Sequence, residues 1–273
     1  SAAISACEKG MQWEQALGLF CQMQRLGIAP DVVIYSATVS ACEKAVEWEH
    51  AVVVFEEMRQ SRFAPNVITC SAVISACEKG KRWERALRSF MELRTSSISS
   101  GVVACGAAIS ACEKGLQWEQ AVQFFKDMDW MRITPDVMTY GATISACEKG
   151  LCWERAMWLF WAMRRTRIAP NLITCNAAIS ACEKGQQWEL ALELMEEVWR
   201  RGLVPTVITY NAAMSSWERG RHWERAAGLV TAPQQRGLEP STAGRNTVLG
   251  ACAGSQQWER ALAQLGEIRG SAL

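Results

Sequence analysis

The amino-acid sequence predicts an all-α solenoid of stacked helix-turn-helix repeats, and three observations carry that prediction. The segment Ser5-Ala6-Cys7-Glu8-Lys9-Gly10 returns as Ser75 to Gly80, Ser110 to Gly115, Ser145 to Gly150 and Ser180 to Gly185, in a frame of 35 residues. A Trp-Glu pair keeps the same frame at Trp13, Trp48, Trp83, Trp118, Trp153, Trp188, Trp223 and Trp258. Within each unit the apolar residues recur twice at helical spacing, and self-similarity at such a period is the mark of a repeat architecture.

With Val32 as the first residue of a unit, full repeats span 32–66, 67–101, 102–136, 137–171, 172–206 and 207–241. Partial repeats 1–31 and 242–273 flank them, so 1–273 reads as a single repeat array. The opening unit lacks its first four residues and the last stops three short, which leads us to expect a piece of a longer protein.

The unit starting at Val137 illustrates the elements in order. A first helix is predicted from about Thr139 to Lys149, with Tyr140, Ile144 and Cys147 on one face. Gly150 ends it, and Gly10, Gly80, Gly115, Gly185 and Gly220 are its equivalents, where a helix C-cap would place a residue of positive φ. A second helix is predicted from about Trp153 to Arg164, with Ala156, Met157, Phe160 and Met163 as its apolar stripe. The loop Arg167-Ile168-Ala169-Pro170-Asn171 closes the unit, because proline disfavours helix at the residue before it. A pair of helices this short cannot bury its apolar face alone, so neighbouring hairpins must stack on one continuous core. Analogy with other helical-repeat arrays gives the stack a right-handed superhelical sense and an elongated groove.

Composition narrows the function classes. Hydrophobic residues make up 49% of the chain, ample for a core, and the formal charge of +1 carries no global signature of a polyanion partner. No run of eighteen apolar residues marks a membrane span, and the start at Ser1 shows no signal or transit segment from which location could be read. Cys7, Cys42, Cys77, Cys112, Cys147, Cys182 and Cys252 share one repeat position, with Cys70, Cys105 and Cys175 seven residues upstream of three of them. Without a C-x₂-C pair they read as small packing residues, reduced in an intracellular compartment, and no metal or cofactor is expected. The Trp series reads as the large residue filling the joint between hairpins. His50 and His222 have no repeating partners, no nucleophile and base come together, and the chain is expected not to be an enzyme.

The unit Val137-Met138-Thr139-Tyr140-Gly141-Ala142-Thr143-Ile144 through Ile168-Ala169-Pro170-Asn171 resembles the pentatricopeptide pattern V-x-T-Y-N-x-x-I through G-I-x-P-D. Asn176, Asn211 and Asn246 match its Asn, and Pro30-Asp31 and Pro135-Asp136 match its end. The recurring Trp-Glu, Pro233 within an expected helix and Gly254 in place of Lys depart from it.

That resemblance implies single-stranded RNA binding, one nucleotide per repeat, with the base read by the fifth and last residues of each unit. The pairs are Ser1 with Asp31, Ser36 with Asn66, Ser71 with Gly101, Gly106 with Asp136, Gly141 with Asn171, Asn176 with Thr206, and Asn211 with Ser241, while Asn246 has no partner. Short polar side chains suit this task because they can bond a base edge exposed in a single strand. The implied target reads, from the 5′ end, G, A, an unread base, G, A, a pyrimidine and C, and is weakest where glycines replace side chains. The second residues Val33, Ile68, Val103, Met138, Ile173 and Ile208 would clamp base faces, or else be ordinary packing residues. Lys9, Lys44, Lys79, Lys114, Lys149, Lys184 and Arg219 would face the RNA backbone, and engagement of most of them implies a salt slope of roughly −3 to −5. The same lysines also suit a helix C-terminus, and the parallel row Glu8, Glu43, Glu78, Glu113, Glu148 and Glu183 would offset their attraction. The resemblance further implies an organellar role, in chloroplast or mitochondrion, in RNA processing, stability, editing or translation, with protein effectors as further partners. The alternative is a tetratricopeptide-like scaffold that binds protein.

Overall fold

The computed structural model describes residues 2–61, 63–95, 101–206, 208–209, 212–213 and 215–216. Among these residues the chain forms twelve helices and no strand. In order they are α1 (Ala2–Lys9), α2 (Trp13–Arg25), α3 (Val32–Lys44), α4 (Trp48–Gln60), α5 (Val67–Lys79), α6 (Trp83–Thr95), α7 (Val102–Lys114), α8 (Trp118–Trp130), α9 (Val137–Lys149), α10 (Trp153–Arg165), α11 (Leu172–Lys184) and α12 (Trp188–Arg200). Each hairpin therefore repeats the two-helix plan, and the all-α, stacked-repeat fold follows.

The first helix of a unit begins earlier than its apolar periodicity indicates, at Val137 rather than Thr139. The reason is the polar residue just before it, an N-cap that satisfies a backbone donor otherwise left open in the first turn. Asp31 Oδ1 accepts from Ile34 N at 2.8 Å, Asn66 Oδ1 from Thr69 N at 2.8 Å, Asp136 Oδ1 from Thr139 N at 2.8 Å and Asn171 Oδ1 from Thr174 N at 2.9 Å. Each cap stabilises its helix by roughly 1 kcal/mol. Gly101, at the same place before α7, has no side chain with which to cap.

The turn between the two helices corrects the expectation for the glycines. Gly80, Gly115 and Gly185 have φ of −76°, −83° and −80°. The left-handed residue is the next one, Lys81, Leu116 or Gln186, at 56°, 58° and 57°. Backbone bonds Lys81 N to Glu78 O at 3.1 Å and Arg82 N to Cys77 O at 2.8 Å close a Schellman turn around Lys81. At these places, though not after α3 where Ala45 stands, the glycine meets a close contact from the hairpin before. A β-carbon on Gly80 would lie 2.4 Å from Trp48 Cδ1, and one on Gly115 2.4 Å from Trp83 Cδ1. The indole of one hairpin thus rests on the glycine of the next, the joint foreseen for the Trp series. Gly220 lies outside the described residues.

Contacts divide the chain into two compact units between Ala146 and Cys147, within α9. In the first unit α1 packs on α3, α3 on α5 and α5 on α7, with the second helices alongside. Phe20 meets Tyr35 edge-on at 5.2 Å, Phe90 meets Phe124 at 5.2 Å and Phe125 meets Tyr140 at 4.7 Å, so aromatic pairs bridge successive hairpins. In the second unit α11 packs on α10 and α12, over Leu159, Phe160, Met163, Leu194 and Val198, all fully buried.

Cysteines serve as packing in both units. Cys42, Cys70, Cys77, Cys105 and Cys112 of the first, and Cys147, Cys175 and Cys182 of the second, are buried and unbridged. Burial pushes the thiols of Cys42, Cys70, Cys77 and Cys175 up to about 11 and those of Cys112, Cys147 and Cys182 up to about 12. Among the described residues no helix is long and apolar enough to cross a membrane.

Candidate functional site

The first turn of each first helix sorts its residues by depth. A helix turns 100° per residue, so the second and third residues of a unit cannot share a face. The second residue points to solvent. Val33, Ile68, Val103 and Met138 in the first unit, and Ile173 and Ile208 in the second, are 59% to 70% exposed. Large apolar side chains held this far out in one register add little to the core.

The third residue points the opposite way. Thr69, Thr139, Thr174 and Thr209 are buried, and each hydroxyl is bonded at the boundary between repeats. Between these two lies the fifth residue, half-buried at Ser36, Ser71, Gly106 and Asn176 and buried at Gly141.

Where the side chains are polar, the structure brings the expected pair together. Asn66 Nδ2 donates to Ser36 Oγ at 3.4 Å, and Thr69 Oγ1 lies 2.7 Å from both Ser36 Oγ and Asn66 Oδ1. In the second unit Thr209 Oγ1 donates to Asn176 Oδ1 at 2.7 Å and lies 3.1 Å from Thr206 Oγ1. Gly106 leaves Asp136 without a side-chain partner at the fifth place, although a β-carbon there would sit 3.5 Å from Thr139 Cγ2, in ordinary contact. Gly101 likewise offers Ser71 only backbone. Asp31 and Asn171 are N-caps of α3 and α11, and Gly141 belongs to the first unit whereas Asn171 belongs to the second. Ser1, Asn211, Ser241, Asn246 and Arg219 lie outside the described residues.

The threonines are the residues that sequence reasoning passed over. Their signal was present, since Thr69, Thr139, Thr174 and Thr209 share one register.

The lysine row is exposed, as a backbone-facing row requires, and it is also ion-paired. Lys44 Nζ meets Glu8 Oε1 at 3.0 Å, Lys79 meets Glu43 at 2.7 Å and Lys114 meets Glu78 at 2.9 Å in the first unit, as Lys184 meets Glu148 at 2.6 Å in the second. Every pair joins a lysine to the carboxylate of the preceding repeat. Ser75 Oγ donates to the same Glu43 at 3.0 Å. Lys9 is exposed, and Lys149 is exposed and also engaged. Exposed pairs of this kind contribute about 0–1 kcal/mol each, so they tie repeats together weakly while offsetting the charge of the row.

One buried charge stands apart, at the end of α12. Glu197 accepts from Arg201 at 2.6 Å and Arg200 at 2.7 Å, and Arg164 lies at 3.9 Å. Burial alone would raise its carboxyl, but the Arg201 hydrogen bond and the three guanidinium charges outweigh it and hold the group below the usual carboxylate range.

These stacked two-helix units, each showing solvent one apolar side chain and two of them a bonded polar pair beside it, define an α-helical repeat protein. Profiles described as "PPR repeat" match residues 1–28, 68–98, 103–133 and 138–168, and "Pentatricopeptide repeat domain" matches 18–80 and 158–218. The chain belongs to the pentatricopeptide repeat family. It is similar in fold to the crystal structure of the maize pentatricopeptide repeat protein PPR10, with a TM-score of 0.63 at 24% identity over 90% of this chain. It spans 35% of that protein's length. The PPR domain of Arabidopsis thaliana protein-only RNase P 1, solved in complex with tRNA, matches 63% of this chain and 90% of its own length at 12% identity, with a TM-score of 0.57. No curated protein matches the chain significantly.

Proposed function

We propose that the chain binds single-stranded RNA with sequence selectivity, each repeat meeting one nucleotide, and that it acts by binding rather than by catalysis. The observation that carries this reading is the exposed apolar residue at the second place of the six repeats from Val32 to Val207, next to a half-buried fifth residue at Ser36, Ser71, Gly106 and Asn176. An apolar side chain beside a small polar one matches an unstacked base, whose face is apolar and whose edge is polar. On this reading Val33, Ile68, Val103, Met138, Ile173 and Ile208 clamp base faces, and the pairs built on Ser36 with Asn66 and Asn176 with Thr206 read base edges. The tRNA complex of a domain with the same fold supports the choice of partner.

The paired lysines shape the mode of binding. A net charge of +1 and a row of lysines in which Lys44, Lys79, Lys114 and Lys184 are each matched by a glutamate give weak non-specific attraction to phosphate. Selectivity then rests on the bases. The family's organellar roles in RNA processing, stability, editing and translation, and the recruitment of protein effectors, are the setting we assign to this activity.

Selection from a random single-stranded RNA pool at moderate salt tests the reading. Enrichment of one motif, with purines towards the 5′ end and pyrimidines following, is the expected result. Retention without a motif reduces the site to electrostatic contact, and no retention gives the surface to a protein ligand, as in a tetratricopeptide-like scaffold.

A further inference from the structure

We propose that the third residue of a repeat is a positioning residue for the nucleotide-reading pair of the repeat before it, a role that rests on the RNA reading proposed above. Thr69 and Thr209 then set which hydrogen-bonding groups that pair shows to a base.

Asn66 shows how the direction is fixed. Its Oδ1 accepts from both Thr69 N at 2.8 Å and Thr69 Oγ1 at 2.7 Å. Turning the amide over would set its NH₂ against the Thr69 N–H, so the oxygen stays inward and Nδ2 faces Ser36 and the site. Ser36 has one proton and two internal acceptors, Val32 O at 2.8 Å and Thr69 Oγ1 at 2.7 Å. Whichever takes it, Ser36 meets a base as an acceptor and Asn66 meets it as a donor. Adenine and cytosine carry an amino donor next to a ring-nitrogen acceptor and complement that arrangement. Guanine and uracil carry an N–H at the ring nitrogen and would set donor against donor.

Thr209 applies the same constraint in the second unit. Its hydroxyl donates to Asn176 Oδ1 at 2.7 Å while accepting from Thr206 N at 2.9 Å, which leaves Asn176 Nδ2 to face the base as a donor. Where the fifth residue is Gly106, the repeat before offers the threonine no side-chain partner. Thr139 Oγ1 bonds only the closing residue, with Asp136 O at 2.9 Å, Asp136 Oδ1 at 3.0 Å and Asp136 N at 2.8 Å. The contact to the closing residue is therefore shared with Thr69, and the bridge to the fifth residue is what a polar side chain there adds. Ile34 and Ala104 occupy the same place without a hydroxyl, behind Asp31 and Gly101.

The test uses short RNAs carrying each base in turn at the nucleotide that the selected motif assigns to repeat 32–66. The parent chain is expected to prefer adenine or cytosine there. Thr69→Val, of similar shape but without the hydroxyl, is expected to reduce that preference by about ten-fold, the scale of one lost directional contact. Discrimination at the Asn176 nucleotide stays unchanged and reports an intact fold, and Thr69→Ser restores the preference. Thr209→Val repeats the measurement at the Asn176 nucleotide in the other unit, should Thr69→Val fail to fold. Preference kept in the valine variants, or affinity lowered equally for every RNA, overturns the positioning role alone. Failure of the parent chain to bind any RNA overturns the RNA reading and this role together.

Discussion

Trp48 occupies the space that a β-carbon on Gly80 would need, with its Cδ1, Cγ and Cβ at 2.4, 2.7 and 3.1 Å from that position. These atoms include the root of the indole, so the side chain cannot swing clear on its own. Gly80→Ala or Gly115→Ala is expected to cost about 1–3 kcal/mol, the usual penalty of overpacking. Gly101→Ala, whose β-carbon would meet nothing within 4 Å at a φ of −74°, is the control and leaves the denaturation midpoint nearly unchanged.

The second helices end on a left-handed residue too, and there the sequence supplies its own comparison. Gly27 and Gly202 take φ of 70° and 69°, while Arg132 and Arg167, in the same register, take 57° and 60°. A side chain in that region is disfavoured by roughly 1–2 kcal/mol, partly offset by the greater unfolded-state freedom of glycine. Arg167→Gly is therefore expected to stabilise the protein by about 0.5–1 kcal/mol in urea unfolding, and loss of stability would count against the turn geometry.

Releasing a lysine from its glutamate separates the two roles of the charged row. Glu78→Gln frees Lys114, now held at 2.9 Å, and is expected to tighten RNA binding at low salt. The slope of affinity against salt should steepen by roughly 0.7 for each lysine that gains a phosphate. An unchanged slope would mean that Lys114 never meets the strand.

The buried thiols make stability sensitive to alkali. Because folding raises their pKa above the ordinary value of 9.0, to about 11 for Cys42 and about 12 for Cys182, the folded state keeps protons that the unfolded chain releases. Their contribution is complete below pH 9 and is lost as the pH rises through 11 to 12. At pH 8 a thiol reagent should modify the exposed Cys21 quickly and the buried set only on unfolding.

At the acid end the sign reverses, through Glu197. Its depressed carboxyl stabilises the fold above the ordinary carboxylate range and ceases to do so as the pH falls through its folded value. Glu197→Gln is expected to cost about 1–3 kcal/mol at neutral pH. The difference from the parent chain should shrink in thermal unfolding as the pH falls below the ordinary carboxylate range.

The period of 35 residues made the fold legible, because eight Trp-Glu pairs in one frame leave no other place for the hairpins. What sequence could not show was anything set by the neighbouring repeat. Gly80 looked like a residue chosen for its own backbone, but its constraint is Trp48 of the hairpin before. Lys79 looked like a helix end or a phosphate ligand, and its nearest charge is Glu43, one unit away. Thr69 looked like part of a first-turn pattern, since only three-dimensional proximity reveals that its hydroxyl reaches back to Ser36. Local propensity and periodicity register residues along one element, and these three relationships cross between elements.

The hydroxyl bridge from Thr69 to Ser36 and Asn66 also bears on how such a chain can be rebuilt. A cassette cut at the arithmetic boundary, 32–66, would carry a fifth and a last residue into a new host and leave behind the group that aims them. Transplanted ahead of a repeat beginning like the one at Val102, where Ala104 stands at the third place, the same two residues would lose their orientation. Exchange blocks that run past the first turn of the following helix, to Ser71, keep donor, acceptor and guide together.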